Sequence, residues 1–238
     1  MGFDLGLCSV SFRDRTPDEI ICEMKKTPLT HIEWGSDVHL PVGADIDSGN
    51  IKTSSYGTYF RLGANDICEL DGYIKTAKRV GTDVLRVWCG GEGSADCPDK
   101  KALFRDCRRA AEIAEREGVI LCCECHTGTF TDTPEAALEL MREVDSKSFR
   151  MYWQPNQYKS VEENILSARL LSCHVMNLHV FNWNGDKRLP LAEAGDTWRR
   201  YLEYFSGGVL LLEFMPDGRL ESLQREAEAL YKIAEDLK

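Results

Sequence analysis

Eight times along this chain a short apolar stretch gives way to a longer segment with helical spacing, or to a loop in its place. The apolar stretches are FDLGLCSVSF (3–12), HIEWG (31–35), IKTSSYGTYF (51–60), TDVLRVWCGG (82–91), VILCCECH (119–126), FRMYWQPN (149–156), HVMNLHVFNW (174–183) and VLLLEFMP (209–216). Each reads as a strand. The segments between them read as helices with recognisable ends. Thr16 caps one, with Asp18 and Glu19 in its first turn, and Gly118 stops another over 100–118. Thr133 caps a third, with Pro134 at its first turn. Further helices are expected over Asp66–Val80, 161–172, 196–205 and 219–238. After the second strand, DVHLPVGADIDSGN is too rich in Gly, Pro and Asp to hold a full helix. Repeated β–α units imply a parallel sheet with helices outside it, and eight of them imply a closed (β/α)8 barrel, the TIM-barrel architecture. The expected fold is therefore α/β, a compact barrel whose second helix is short or missing. No linker interrupts it, so residues 1–238 are expected to form a single domain. An open doubly wound sheet would want a Gly-rich phosphate loop after the first strand, and SFRDRT offers none.

Composition removes several function classes. The net charge is -10, against the basic footprint that nucleic-acid binding requires. No apolar run is long enough to span a membrane. The N-terminus, MGFDLGLCSVSFRDR, lacks a charged lead and does not read as a signal peptide, and Gly6 stands where myristoylation needs Ser or Thr. A cytoplasmic location is expected. The ten cysteines then read as small buried hydrophobes in a reducing compartment rather than a disulfide framework. Cys122 and Cys125 form C-x-x-C, but residues three apart on a strand face opposite ways, which argues against a two-cysteine metal site.

In barrels of this kind the chemistry sits at the C-terminal ends of the strands. The fifth strand carries Glu124 and His126 there, the sixth Gln154, Asn156 and Gln157, the seventh Asn177 and His179, and the eighth Glu213. A carboxylate in an apolar run is costly unless it is paired or binds a metal. Strand parity puts Glu124, Gln154, His179 and Glu213 on one side of the barrel mouth if those faces point inward. A lone glutamate in such a place is often just paired with an arginine. Two carboxylates, an imidazole and an amide oxygen on four successive strands also suit one divalent ion: Mn, Mg, Co or Zn. Such an ion polarises a substrate carbonyl, and the two glutamates can then move a proton on the adjacent carbon. Trp88, Trp153 and Trp183 are read as core aromatics, with a sugar-pocket floor as the alternative. His31 and His174 are read as structural.

The chain resembles the xylose isomerase-like (β/α)8 barrels, the sugar phosphate isomerases and epimerases. The resemblance spans nearly the whole chain and rests on HIEWGSDVHLP (31–41), SSYGTYFRLG (54–63), VLRVWCGG (84–91), LCCECHTGT (121–129), NLHVFNW (177–183) and LLLEF (210–214). It implies one divalent metal held by Glu124, Gln154, His179 and Glu213, with the two glutamates as the acid/base pair. It also implies that His39 and His126 look toward substrate, and that Arg86 and Arg188 hold a hydroxyl or acid group. The family pattern has Asp on the sixth strand, often with His three residues on. Here the stretch reads Gln154-Pro-Asn-Gln157, which puts a neutral amide in the metal shell and Gln157 in the substrate position. The activity implied is isomerisation or epimerisation of a small keto- or aldo-sugar, or related polyol, through an enediolate. A lyase or dehydratase on the same scaffold is the alternative reaction class. A non-catalytic sugar-binding barrel with a degenerate metal site is the alternative without chemistry. The family also holds DNA-repair endonucleases, which five histidines and an acidic chain argue against. Oligomeric state is not legible, although the exposed helical ring of such barrels often packs into homodimers.

Overall fold

A computed structural model of the chain describes residues 2–235. Eight parallel strands close into a barrel: β1 Phe3–Cys8, β2 His31–Gly35, β3 Lys52–Leu62, β4 Val84–Cys89, β5 Ile120–Glu124, β6 Phe149–Trp153, β7 Val175–Val180 and β8 Gly208–Leu212. Closure is made by β8 against β1, with Phe3 opposite Gly208 and Leu7 opposite Leu212. The helices are α1 Pro17–Met24, α2 Leu70–Arg79, α3 Lys100–Glu117, α4 Pro134–Val144, α5 Val161–Leu171, α6 Gly195–Leu202 and α7 Leu223–Glu235. The expected end of the last helix, 236–238, lies outside the described residues.

The helix ends are chemically specified. Thr16 and Ser160 each close a capping box, with Glu19 and Glu163 respectively. Gly118 ends α3 at φ +65°, a conformation that favours glycine. Between β2 and β3 there is no helix among the described residues, as the sequence suggests. The loop is pinned instead: Tyr56 Oη donates to the Leu40 carbonyl at 2.6 Å, and Gly43 N–H donates to Thr76 Oγ1 at 2.9 Å.

Several strands end earlier than their apolar runs. The first stops at Cys8 because Ser9–Phe12 coils into a 3-10 turn. The fifth stops at Glu124 and the seventh at Val180, where the chain leaves the sheet to build the mouth. Likewise Ile67–Glu69 is a 3-10 turn that precedes α2. Apolar periodicity continues through these transitions, so hydropathy alone misplaces the boundary.

The main core lies between sheet and helices, and Trp34, Trp153 and Trp198 are its largest fully buried side chains. Trp153 is thus a core aromatic as expected, whereas Trp88 and Trp183 border a cavity at the mouth. A second, small cluster of Val84, Cys122, Tyr152 and Leu211 is separate from it. These four share strand parity with Arg86, Glu124, Gln154 and Glu213, so they plug the barrel interior beneath the polar residues. All ten cysteines are free thiols. Cys22, Cys68 and Cys173 are exposed, which corrects the reading of Cys22 and Cys173 as buried hydrophobes.

Candidate active site

Directly above the apolar plug lies a buried charged layer. Arg86 on β4 is its centre: Nε donates to Glu33 Oε1 at 3.0 Å and a terminal nitrogen to Glu124 Oε2 at 2.7 Å. These side chains are essentially solvent-free, with Arg86 3%, Glu33 0% and Glu124 4% exposed. Unpaired, any of them would carry a desolvation cost of several kcal/mol. The pairing is completed by Ser55 Oγ donating to Glu33 Oε2 at 2.9 Å and Trp88 Nε1 donating to Glu124 Oε2 at 2.6 Å. Gly57 makes room for it: a Cβ there would stand 2.6 Å from Glu33 Oε1. Beneath, Tyr152 Oη donates to Ser55 Oγ at 2.6 Å and accepts from Asn177 Nδ2 at 2.9 Å, so the layer below is satisfied as well.

His179 on β7 stands in the middle of the mouth. Its Nδ1 lies 3.4 Å from Glu124 Oε1, 3.3 Å from Gln154 Oε1 and 3.7 Å from Glu213 Oε2. The four side chains expected to converge therefore meet around one nitrogen. Gln154 presents oxygen to this point because its Nε2 donates to the Cys125 carbonyl at 2.9 Å. Each distance to Nδ1 is near the roughly 3.0–3.4 Å that separates two donors bound to one ion at about 2.1 Å, while Glu124 stands outside the group of described His, Cys, Asp and Glu side chains whose donor atoms all lie within 4.8 Å of one another. Three oxygens and an imidazole nitrogen suit a divalent cation. The far side of the ring meets Glu33 Oε1, 3.5 Å from Nε2.

The electrostatics divide the carboxylates. Burial raises the pKa of Glu33, but Arg86 and then His179 outweigh it and hold the carboxyl at about 2. For Glu124 burial is likewise overcome by Arg86 and His179, and its pKa falls well below the usual range. Glu213 goes the other way: burial raises its pKa, His179 opposes, and Glu124 adds to the rise. Burial depresses the basicity of His179, yet the carboxylates of Glu213 and Glu33 lift it well above its usual value. A metal ligand must be the neutral imidazole. Burial, Glu33 and Glu213 push the Cys8 thiol up.

A cavity of about 430 Å³ opens from this layer between the loops after β5 and β6 and the chain after β7. Tyr59, Trp88, His126, Gln157, Trp183 and Phe214 are among its walls. His126 stacks on Trp88 with ring centres 4.4 Å apart, and Nδ1 donates to the Thr127 carbonyl at 2.6 Å. His126 and Gln157 thus both border this cavity.

Three expectations are revised by the geometry. His39 does not reach the cavity. The helix-less loop after β2 folds it under the Ser9–Phe12 turn, and both ring nitrogens are taken. Nδ1 lies 3.0 Å from Ser9 Oγ, and Nε2 lies 3.2 Å from the carbonyls of Phe12 and Arg15. Arg86 borders the cavity, but its Nε and one terminal nitrogen are committed to Glu33 and Glu124. Arg188 is behind the wall: its guanidinium lies 4.5 Å over the Phe214 ring and 5.1 Å over the Trp183 ring. Sequence reasoning missed Glu33, Cys8 and Ser55, and for Trp88 the cavity position was its second reading. Glu33 carries the same signal as Glu124, a carboxylate between Ile32 and Trp34 in a strand, and the same argument finds it.

The chain belongs to the xylose isomerase-like TIM barrel family, whose sequence model matches residues 46–207. That span includes Glu124, Gln154 and His179 but not Cys8, Glu33 or Glu213. No curated protein matches the chain. Among solved structures it is similar to a probable 3-DHS dehydratase, AsbF of Bacillus anthracis, involved in petrobactin synthesis. The TM-score is 0.78 and the identity 17%, over 96% of this chain and 99% of that one. It is similar to the IolI protein with a binding zinc atom, at TM-score 0.74 and 16% identity over 98% and 97% of the two chains. It is also similar to D-psicose 3-epimerase with D-tagatose from Clostridium cellulolyticum H10, at TM-score 0.67 and 14% identity over 98% of each. At such identities the likeness is one of fold. No described helix is long and apolar enough to cross a membrane.

Proposed function

We propose that this protein is a divalent-metal-dependent isomerase or epimerase acting on a small keto- or aldo-sugar or related polyol, by proton transfer through an enediolate. The observation that carries the reading is the convergence of Glu124, Gln154 and Glu213 on His179 Nδ1, at 3.3–3.7 Å. Those four side chains would hold Mn, Mg, Co or Zn. When bound, the ion supplies the positive charge that acidifies a C–H beside a carbonyl.

The chain's own residues divide the remaining work. Glu124 is clamped by Arg86 and Trp88 through one oxygen, and it holds its place and its charge. Among the described residues Glu213 has His179 and the Cys8 thiol as its side-chain polar partners, and it is the group that takes and returns the proton. Trp88, Trp183 and Phe214 give the cavity apolar faces that match the C–H face of a sugar, and His126 and Gln157 meet its hydroxyls. The cavity volume, about 430 Å³, suits a small molecule and no polymer.

The experiment is metal content of the purified chain by mass spectrometry, followed by a keto-sugar screen with that metal. About one ion per chain and a product of unchanged mass is the expected result. A product lighter by one water would replace isomerase with dehydratase. A chain that binds no metal, even as the Gln154→Asp variant, would sink the reading.

A further inference from the structure

A buried thiol stands beside two of the ligands named above, His179 and Glu213. Cys8, His179 and Glu213 form the one compact group of potential metal-ligating His, Cys, Asp or Glu side chains among the described residues, with donor atoms within 4.8 Å of one another. Cys8 ends β1 and has no solvent exposure. Its Sγ lies 3.9 Å from Glu213 Oε1 and 3.4 Å from Glu33 Oε1. His179 Nε2 is buried and makes no hydrogen bond within the described residues. Glu213 thus presents Oε2 to the Nδ1 side and Oε1 to the sulfur.

We propose that Cys8 is a ligand of the divalent ion at this site, its thiolate supplying the negative charge that Gln154 does not carry. The proposal rests on the metal-dependent reading above and deepens it. With Gln154 in the shell, Glu124 and Glu213 bring two negative charges, and an Asp at that position would bring a third. Glu33 cannot serve as the third because Arg86 and Ser55 occupy both its oxygens. Cys8 is the remaining buried group beside both His179 and Glu213 that becomes anionic on coordination. Its S–H proton is exchanged for the metal and leaves to water, with no change of oxidation state. The consequence is selectivity. A shell of oxygens and one imidazole accepts Mg or Mn, whereas adding a thiolate favours Zn or Co.

The test is Co²⁺ titration of the whole chain under reducing conditions, followed by absorption. We expect visible d–d bands together with a near-ultraviolet sulfur-to-cobalt charge-transfer band. In Cys8→Ser the charge-transfer band disappears, the d–d bands remain, and Zn²⁺ affinity drops by more than about tenfold. If d–d bands appear without the charge-transfer band, or if that band survives Cys8→Ser, the ion is bound without Cys8. The proposal then fails while the metal-dependent reading stands. If Co²⁺ does not bind at all, both fail. Should Cys8→Ser not fold, zinc-edge X-ray absorption of the unaltered chain decides. A sulfur neighbour at about 2.3 Å supports the proposal, and a shell of nitrogen and oxygen alone overturns it.

Discussion

The two glutamates on either side of His179 carry the same functional group in opposite settings. Glu124 has two strong donors on one oxygen, Arg86 at 2.7 Å and Trp88 at 2.6 Å, and its pKa is driven down. Among the described residues Glu213 has no arginine or amide donor, only the imidazole at 3.7 Å and the thiol at 3.9 Å, and burial drives its pKa up. On the proposed reading, one carboxylate stays ionised and the other changes protonation. Acid and base roles divide where environments push like groups apart.

The largest effect should come from removing the Glu213 carboxylate. Glu213→Gln keeps shape and volume, so circular dichroism should not change, while turnover should drop by about 10³-fold or more. Retained activity would erase the distinction between the two sides. Next in size is the clamp. Arg86→Met leaves Glu33 and Glu124 buried without the guanidinium that pairs with both and should cost about 3–5 kcal/mol in chemical denaturation. Stability within about 1 kcal/mol of the parent chain would mean that the fixed side is not fixed by Arg86.

A pH experiment reads the same clamp without altering it. The folded-state pKa of Glu33 is about 2, below its ordinary 4.5. A depressed carboxylate pKa contributes stability that is fully present above the unfolded value and is lost as pH falls through the folded one. The shift corresponds to about 3 kcal/mol, lost between pH 4.5 and 2. Denaturation midpoints measured across that range should decline less steeply in Glu33→Gln than in the unaltered chain. Parallel curves would show that Glu33 is not the group titrating.

The contrast between the two glutamates was only half legible in the sequence. Eight apolar runs with polar residues at their ends were enough for the barrel, and strand parity was enough to bring Glu124, Gln154, His179 and Glu213 together. Parity is a local rule and survives errors of one or two residues at strand ends. What it cannot do is assign partners across the barrel. Arg86 and Glu33 are 53 residues apart on strands with β3 between them, and the space left by Gly57 on β3 lets them touch. His39 fails for a related reason. Where no helix forms, the path of the loop decides which way a side chain points, and no periodicity encodes that path. On the metal side, Gln154→Asp should tighten binding of Mn²⁺ by about 10-fold, measured by calorimetry, by adding a charge where the amide oxygen now stands. Unchanged affinity would show that this position is not a ligand.

The smallest expected effect concerns how Glu213 is held at all, given so few polar partners. The backbone answers. Phe214 follows it at φ +55°, a left-handed conformation that is unusual for a bulky residue. Such a conformation costs on the order of 1–2 kcal/mol and persists only where its surroundings enforce it. Here Phe214 N–H donates to Ser11 Oγ at 2.9 Å, and its ring lies between Trp183, 5.5 Å away, and the Arg188 guanidinium. Phe214→Gly relieves the strain but removes the ring. The two terms are of similar size, so stability should move by no more than about 1 kcal/mol. The carboxylate beside it loses its anchor, and turnover should fall several-fold at nearly constant stability. The same variant with full activity would show that the Ser11 hydrogen bond alone orients Glu213, and that the strained turn belongs to the wall of the cavity rather than to the moving proton.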